Sequence, residues 1–338
     1  PLPTGTANRS GGECGRNAHQ GWSTFVTGSL PPKFYETRVV EAAHEFHPDL
    51  TRLQSPSRPD LLWAFDGIFP GPTFVARYGE PVLLRIRNEL PARPIGYGSP
   101  EMSTHLHNGH TPSESDGFAG DYFSRTVGGP TLAPLGAGQF RDHLYPNCYA
   151  GFVANRNPSL PYGPAHCGDT ALRRGAEGQG TLWYHDHRHD FTAANVYRGM
   201  AGFYLLFDHI DTGNENDTSP TALRLPSGVG RYDVPLLIQD RRFDAFGYSV
   251  FEQFDSEGIL GDKVTVNGKI QPFFAVERRK YRFRLLNGGP SRFYDLVIAD
   301  ESGRVLPFDY IANDGNLLPA PLRGMTSIYF APGERADI

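Results

Sequence analysis

The sequence has no run of about 18 apolar residues, the length a helix needs to cross a bilayer, so no membrane-spanning helix is expected. It has no long basic run either. Lys+Arg 32 against Asp+Glu 37 leaves a formal charge of −5, so binding by phosphate neutralisation has no footprint and no nucleic-acid partner is expected. Cysteine is scarce: Cys14, Cys148 and Cys167 are an odd number, so at most one pair closes within the chain. Cys148 with Cys167 is the preferred pairing, and the sequence leaves the choice open. An initiating Met and a charged-then-apolar leader are lacking at Pro1-Leu2-Pro3-Thr4-Gly5, which reads as a mature or trimmed start. Asn8-Arg9-Ser10 and Asn216-Asp217-Thr218 fit the N-glycosylation acceptor pattern, and an extracellular location is the expectation.

Glycine and proline are plentiful, together about a fifth of the chain, well above average usage. That many turn formers disfavour a helical bundle, while a hydrophobic content of 39% with 12% aromatics supplies a core. Alternation predicts strands over Tyr35–Ala42 and Pro81–Asn88, with a turn at Phe69-Pro70-Gly71-Pro72-Thr73 between them. Further strands are predicted at Gly180–His185, Gly202–Phe207, Val234–Gln239, Lys263–Gly268, Lys280–Asn287 and Tyr294–Ile298, and a short helix at Ala193–Tyr197. Nothing alternates as βαβ, so the class is all-β, built of sandwiches. Residues 1–30 read as an irregular extension, 31–210 as a first domain, 211–224 as a polar linker and 225–338 as a second domain. Phe74–Pro81 with its strand parallels Phe274–Tyr281 with its strand, and each strand ends in a polar turn, Asn88-Glu89-Leu90 or Asn287-Gly288-Gly289. Two copies of one sandwich would produce this. The last residues, Ala331 to Ile338, look like the entry to another strand, so the second sandwich is expected to be incomplete.

Of 12 histidines, four form two His-x-His pairs, His105-Leu106-His107 and His185-Asp186-His187. Along a strand, residues two apart project from one face, so each pair presents two imidazoles side by side. Neutral imidazole is the common ligand for transition metals, and two such pairs on neighbouring strands make a four-nitrogen platform. His19, His44, His47, His143 and His209 show no such spacing. Trp63, Tyr97 and Phe118 are expected as core or pocket-wall aromatics.

These motifs resemble the multicopper oxidases over nearly the whole chain. Thr104-His105-Leu106-His107-Asn108-Gly109 followed by Ser115-Asp116-Gly117 is similar to that family's first copper-binding motif, and Thr181–His187 with Asn195–Gly202 to its second. Tyr232–Asp240, Val266-Asn267-Gly268-Lys269, Lys280–Arg284 and Ala331-Pro332-Gly333-Glu334-Arg335 look most like the branch of spore-coat laccases, bilirubin oxidases and phenoxazinone synthases. The resemblance implies tandem cupredoxin-like Greek-key sandwiches and a laccase-like oxidase passing electrons from a phenolic or aminophenolic substrate to O2. It also implies copper: His105 on a type 2 ion and His107, His185 and His187 on a type 3 pair. Asp116 would handle protons beside that cluster. The remaining ligands and a type 1 copper would come from a second polypeptide or a continuation that completes the second domain and adds a third. A metal-ion oxidase taking Fe(II) or Mn(II), and a non-catalytic copper-binding subunit, are the alternatives.

Two features depart from the family pattern. Asn108 stands where the family usually has Gly, and His110 and His189 are extra histidines, expected as solvated or supporting side chains. His166-Cys167 is followed by Gly168-Asp169-Thr170, whereas the family's type 1 cysteine stands between two histidines, so it is not read as a type 1 site.

Overall fold

The computed structural model describes residues 33–92, 96–128, 140–147 and 180–338, with the backbone of Gly5–Thr6. The three cysteines, Asn8, His19, His166 and the 1–30 extension apart from Gly5–Thr6 lie outside the described residues. Among the described residues the chain is nearly all β, 43% strand against 6% helix. It forms two compact units, one of Pro1–Ala42, Trp63–Glu177 and Leu182–Leu206, the other of Ala43–Leu62, Gly178–Thr181 and Phe207–Ile338. Residues 43–62 thus group with the second unit, as do 211–224.

The strands that lie wholly or mostly in the first unit are β1 (Gly5–Thr6), β2 (Lys33–Ala43), β3 (Leu61–Phe65), β4 (Gly71–Arg77), β5 (Val82–Asn88), β6 (Thr104–His107), β7 (Phe140–Tyr145), β8 (Thr181–Asp186) and β9 (Ala201–Phe207). One sheet runs β1-β2-β5-β7 with β3 on β2, the other β4-β9-β8-β6. The alternation read from the sequence does its expected work in β5. Leu84 and Ile86 are fully buried, whereas Arg85 and Arg87 turn the other way. Arg85 forks onto its cross-strand partner Asp142 through two 2.8 Å bonds, and Arg87 pairs with Glu36. Trp63, Phe65, Phe74, Tyr184 and Tyr204 fill the core between the sheets.

The predicted turn at 69–73 is shorter than expected. Only Phe69-Pro70 bends, and Gly71 already opens β4. A glycine is needed there because a Cβ would come within 2.7 Å of the Tyr184 hydroxyl, which donates to the Pro72 carbonyl.

The second unit repeats the first in one telling respect. Its main sheet runs Lys269–Ile270, Lys263–Val266, Asp233–Phe243, Arg282–Asn287, Arg335–Asp337, Phe308–Asn313, Asn316–Met325. Arg282–Asn287 lies parallel to Asp233–Ile238, as β5 lies parallel to β2. Asn88 is registered with Val39 and Asn287 with Ile238. Each asparagine is buried, and its Oδ1 accepts from the backbone two residues on, Leu90 or Gly289, at 3.0 Å. Each Nδ2 donates to two distant carbonyls, Pro100 and Phe123 in one unit, Arg292 and Phe330 in the other. The segments before these strands differ: Phe74 is buried in β4, while Phe274 sits half exposed in irregular chain.

Candidate metal centre

β6 and β8 are antiparallel neighbours in the register Thr104↔Asp186, His105↔His185, Leu106↔Tyr184, His107↔Trp183. Period-two alternation sends Leu106 and Tyr184 into the core, where both are essentially fully buried. His105, His107 and His185 are left together on the opposite face, and His187 follows just past the strand end. The ring centroids of His105 lie 5.6, 5.5 and 5.1 Å from those of His107, His185 and His187. His185 stands 5.5 Å from His107 and 5.8 Å from His187. Both sequence pairs are therefore brought to one place.

Hydrogen bonds on the far side of the rings decide which nitrogen is available. His105 Nδ1 donates to the Asp116 carbonyl and His185 Nδ1 to the Asp186 carbonyl at 2.7 Å, which leaves each Nε2 as the lone-pair nitrogen. His185 Nε2 lies 3.3 Å from His107 Nδ1. Two ligands ~2.1 Å from one ion at a near-tetrahedral angle are separated by about that distance. Ligand atoms of His105, His107 and His185 all fall within 4.8 Å of one another. His187 Nδ1 is buried and finds no hydrogen-bond partner among the described residues. Burial holds His185 well below the usual imidazole range, and the three neighbouring rings add to this. Burial also lowers His105, against the opposing pull of Asp116. Neutral rings with convergent nitrogens form a donor set for a borderline transition metal, and the residues fit copper.

Asp116 caps the short turn Ser113–Ser115. Its carbonyl orients His105, its Oδ1 lies 3.5 Å from His105 Nδ1, and Thr111 Oγ1 donates to that Oδ1 at 2.9 Å. Gly117 must be glycine: φ is +77° and a Cβ would lie 2.0 Å from the Thr104 carbonyl oxygen. Asn108 has φ 64°, which explains the departure at that position. Asparagine is among the few side chains that tolerate the left-handed region where glycine is otherwise favoured. Asp186 turns away from the rings and is fully buried, its pKa pushed up to about 7 by burial against bonds from Ser103, Asn195 and Arg188.

Of the extra histidines, His189 is exposed and sits 3.0 Å from Asp190, and His110 is half buried outside the ligand group. Trp63 is core, with the Arg198 guanidinium 4.0 Å over its ring, but Phe118 is 60% exposed and is not a core aromatic. Three contributors escaped the sequence reading. Trp183 stacks on His185 at 4.0 Å and on His107 at 5.3 Å. Its place two residues before His185, on the same strand face, was the available signal. His143 reaches the Ser115 carbonyl at 3.1 Å, and Asn195 binds Asp186; neither spacing announces this.

No family model matches the chain. It is 32% identical to a laccase of Bacillus subtilis (strain 168) over 342 residues, which takes in 93% of this chain and 55% of that protein. It is also 32% identical to a bilirubin oxidase of Albifimbria verrucaria, over 90% of this chain and 42% of that one. Among solved structures, the multicopper oxidase McoA of the hyperthermophile Aquifex aeolicus superposes with a TM-score of 0.58 at 26% identity, covering 92% of this chain and 56% of that one. The chain spans about half the length of the curated relatives it matches.

Proposed function

From a chain homologous to the multicopper oxidases and about half their length, we propose that it is the N-terminal portion of a copper-dependent oxidase, carrying half the ligands of an oxygen-reducing copper cluster. The observation that carries this reading is the convergence of four imidazoles from two paired strands, with two ring nitrogens 3.3 Å apart. His105 would hold a type 2 copper and His107, His185 and His187 a type 3 pair, with the type 1 copper outside this chain. Bound copper would supply the one-electron steps that couple oxidation of a phenolic or aminophenolic substrate to reduction of O2 to water. The chain's own residues orient and insulate. The Asp116 and Asp186 carbonyls fix two tautomers, and Trp183 walls the rings from one side. Asp116, with Thr111 steadying its carboxylate, would hold and pass protons at Oδ1. The other ligands would come from a second polypeptide or a continuation of this one.

Copper analysis and oxygen uptake on the complete assembly test this. About four coppers and uptake driven by a diphenol are expected. Uptake driven only by Fe(II) or Mn(II) would reassign the reductant, and bound copper without uptake would reduce the chain to a copper-binding subunit. On the same assembly, Asp116→Asn is expected to keep its copper and slow oxygen uptake by about 100-fold. Unchanged turnover removes the role.

A further inference from the structure

We infer that Asp186 is a positioning residue that sets the spacing between the two histidine pairs, acting from behind the strands through a buried carboxylate. The inference rests on the reading of the four histidines as copper ligands. Asp186 sits between His185 and His187, and alternation turns it to the opposite face, where it is 0% exposed. There it gathers three donors: the Ser103 amide at 2.9 Å, the Arg188 amide at 3.1 Å and Asn195 Nδ2 at 2.9 Å.

Each donor has a consequence for the metal face. Ser103 immediately precedes β6, so the carboxylate ties the strand of the first pair to the strand of the second. Thr104↔Asp186 is the last registered pair of that ladder, which leaves His187 beyond it. His187 is nonetheless held, because its amide donates to the Ser103 carbonyl at 2.6 Å, completing a clamp with the Asp186–Ser103 bond. The Asp186 amide adds a 3.1 Å bond to the Met200 carbonyl. Asn195, itself fully buried, extends the tie, since its Oδ1 accepts from the Ser99 amide at 2.9 Å. In its ionised form a carboxylate suits this place because it only accepts. An amide of the same shape would turn its NH2 against at least one of the three donors.

The test is Cu(II) titration of the full chain, with dissociation constants from chelator competition and the EPR spectrum of the bound ion. Asp186→Asn is expected to bind Cu(II) about 10- to 100-fold more weakly than wild type, with a changed copper hyperfine pattern. Val39→Ala, in the core of the same unit, is the control for lost stability and is expected to melt earlier with affinity and spectrum unchanged. A folded Asp186→Asn chain with wild-type affinity and spectrum overturns the inference. If that variant does not fold, Asn195→Ala decides, with about tenfold weaker binding expected and unchanged binding contradicting the proposal. A wild-type chain that binds no Cu(II) overturns the ligand reading and this inference together, whereas equal binding by wild type and variants overturns this inference alone.

Discussion

Which ring nitrogen carries the proton governs the chemistry of each histidine in this site. His105 and His185 each spend Nδ1–H on a main-chain carbonyl, so backbone geometry leaves Nε2 as the lone-pair nitrogen of each ring. On the proposed copper reading, removing one ring removes one preset donor. His185→Ala is expected to weaken Cu(II) binding more than His189→Ala, which alters only an exposed ring beside Asp190; equal effects in a titration would contradict the assignment. The same scale accounts for Asn108. With φ at 64°, Asn108→Gly should leave the urea midpoint nearly unchanged, while Asn108→Val should cost about 1–2 kcal/mol of stability.

Elements place those residues. The antiparallel register of β6 on β8 sets His105 opposite His185, and the turn carrying Asp116 is pressed so closely against β6 that Gly117 has no room for a Cβ. Gly117→Ala should push the Asp116 carbonyl away from His105 and weaken Cu(II) binding about tenfold, read by the same chelator competition. Much of this level is legible in the sequence. Alternation in β5 marks its buried face, and the doubled His-x-His spacing marks the face on which the imidazoles gather, because both depend only on a period of two. The turns at Asn88 and Asn287 were also visible, since a side chain bonding its own backbone two residues on is a local event. What was hidden depends on register or on distance along the chain. Nothing in the spacing of Ser103, Asp186 and Asn195 brings them together, and Trp183 meets His107 only because the two strands pair in one particular alignment. Of the two places open to Phe118, core or pocket wall, its exposed ring excludes the core.

For the molecule as a whole, each unit is stabilised by its own interior. The second unit buries charge. Arg282 binds Asp211 and Asp337 at 2.6 Å each, and Arg284 binds Asp233, all of them almost completely buried. Burial alone would raise the Asp211 carboxyl, but Arg282 and Arg284 outweigh it and hold it below the ordinary range. A carboxyl lowered in the folded state contributes stability above its unfolded pKa of about 3.9, and that contribution is lost as pH falls through the folded value. Thermal melts should therefore show stability falling below about pH 4. Asp211→Asn should flatten that acid limb and cost about 3 kcal/mol at neutral pH, since Asp337 still partners Arg282. An acid limb identical to wild type would contradict the linkage.

The most direct measurement of the central claim is copper-edge X-ray absorption on the metal-loaded chain, with and without all four of His105, His107, His185 and His187 replaced by alanine. Imidazole nitrogen scatterers at about 2.0 Å are predicted for wild type, with the signal lost in the fourfold variant. Copper retained with an unchanged spectrum after all four replacements would show that the ion binds elsewhere.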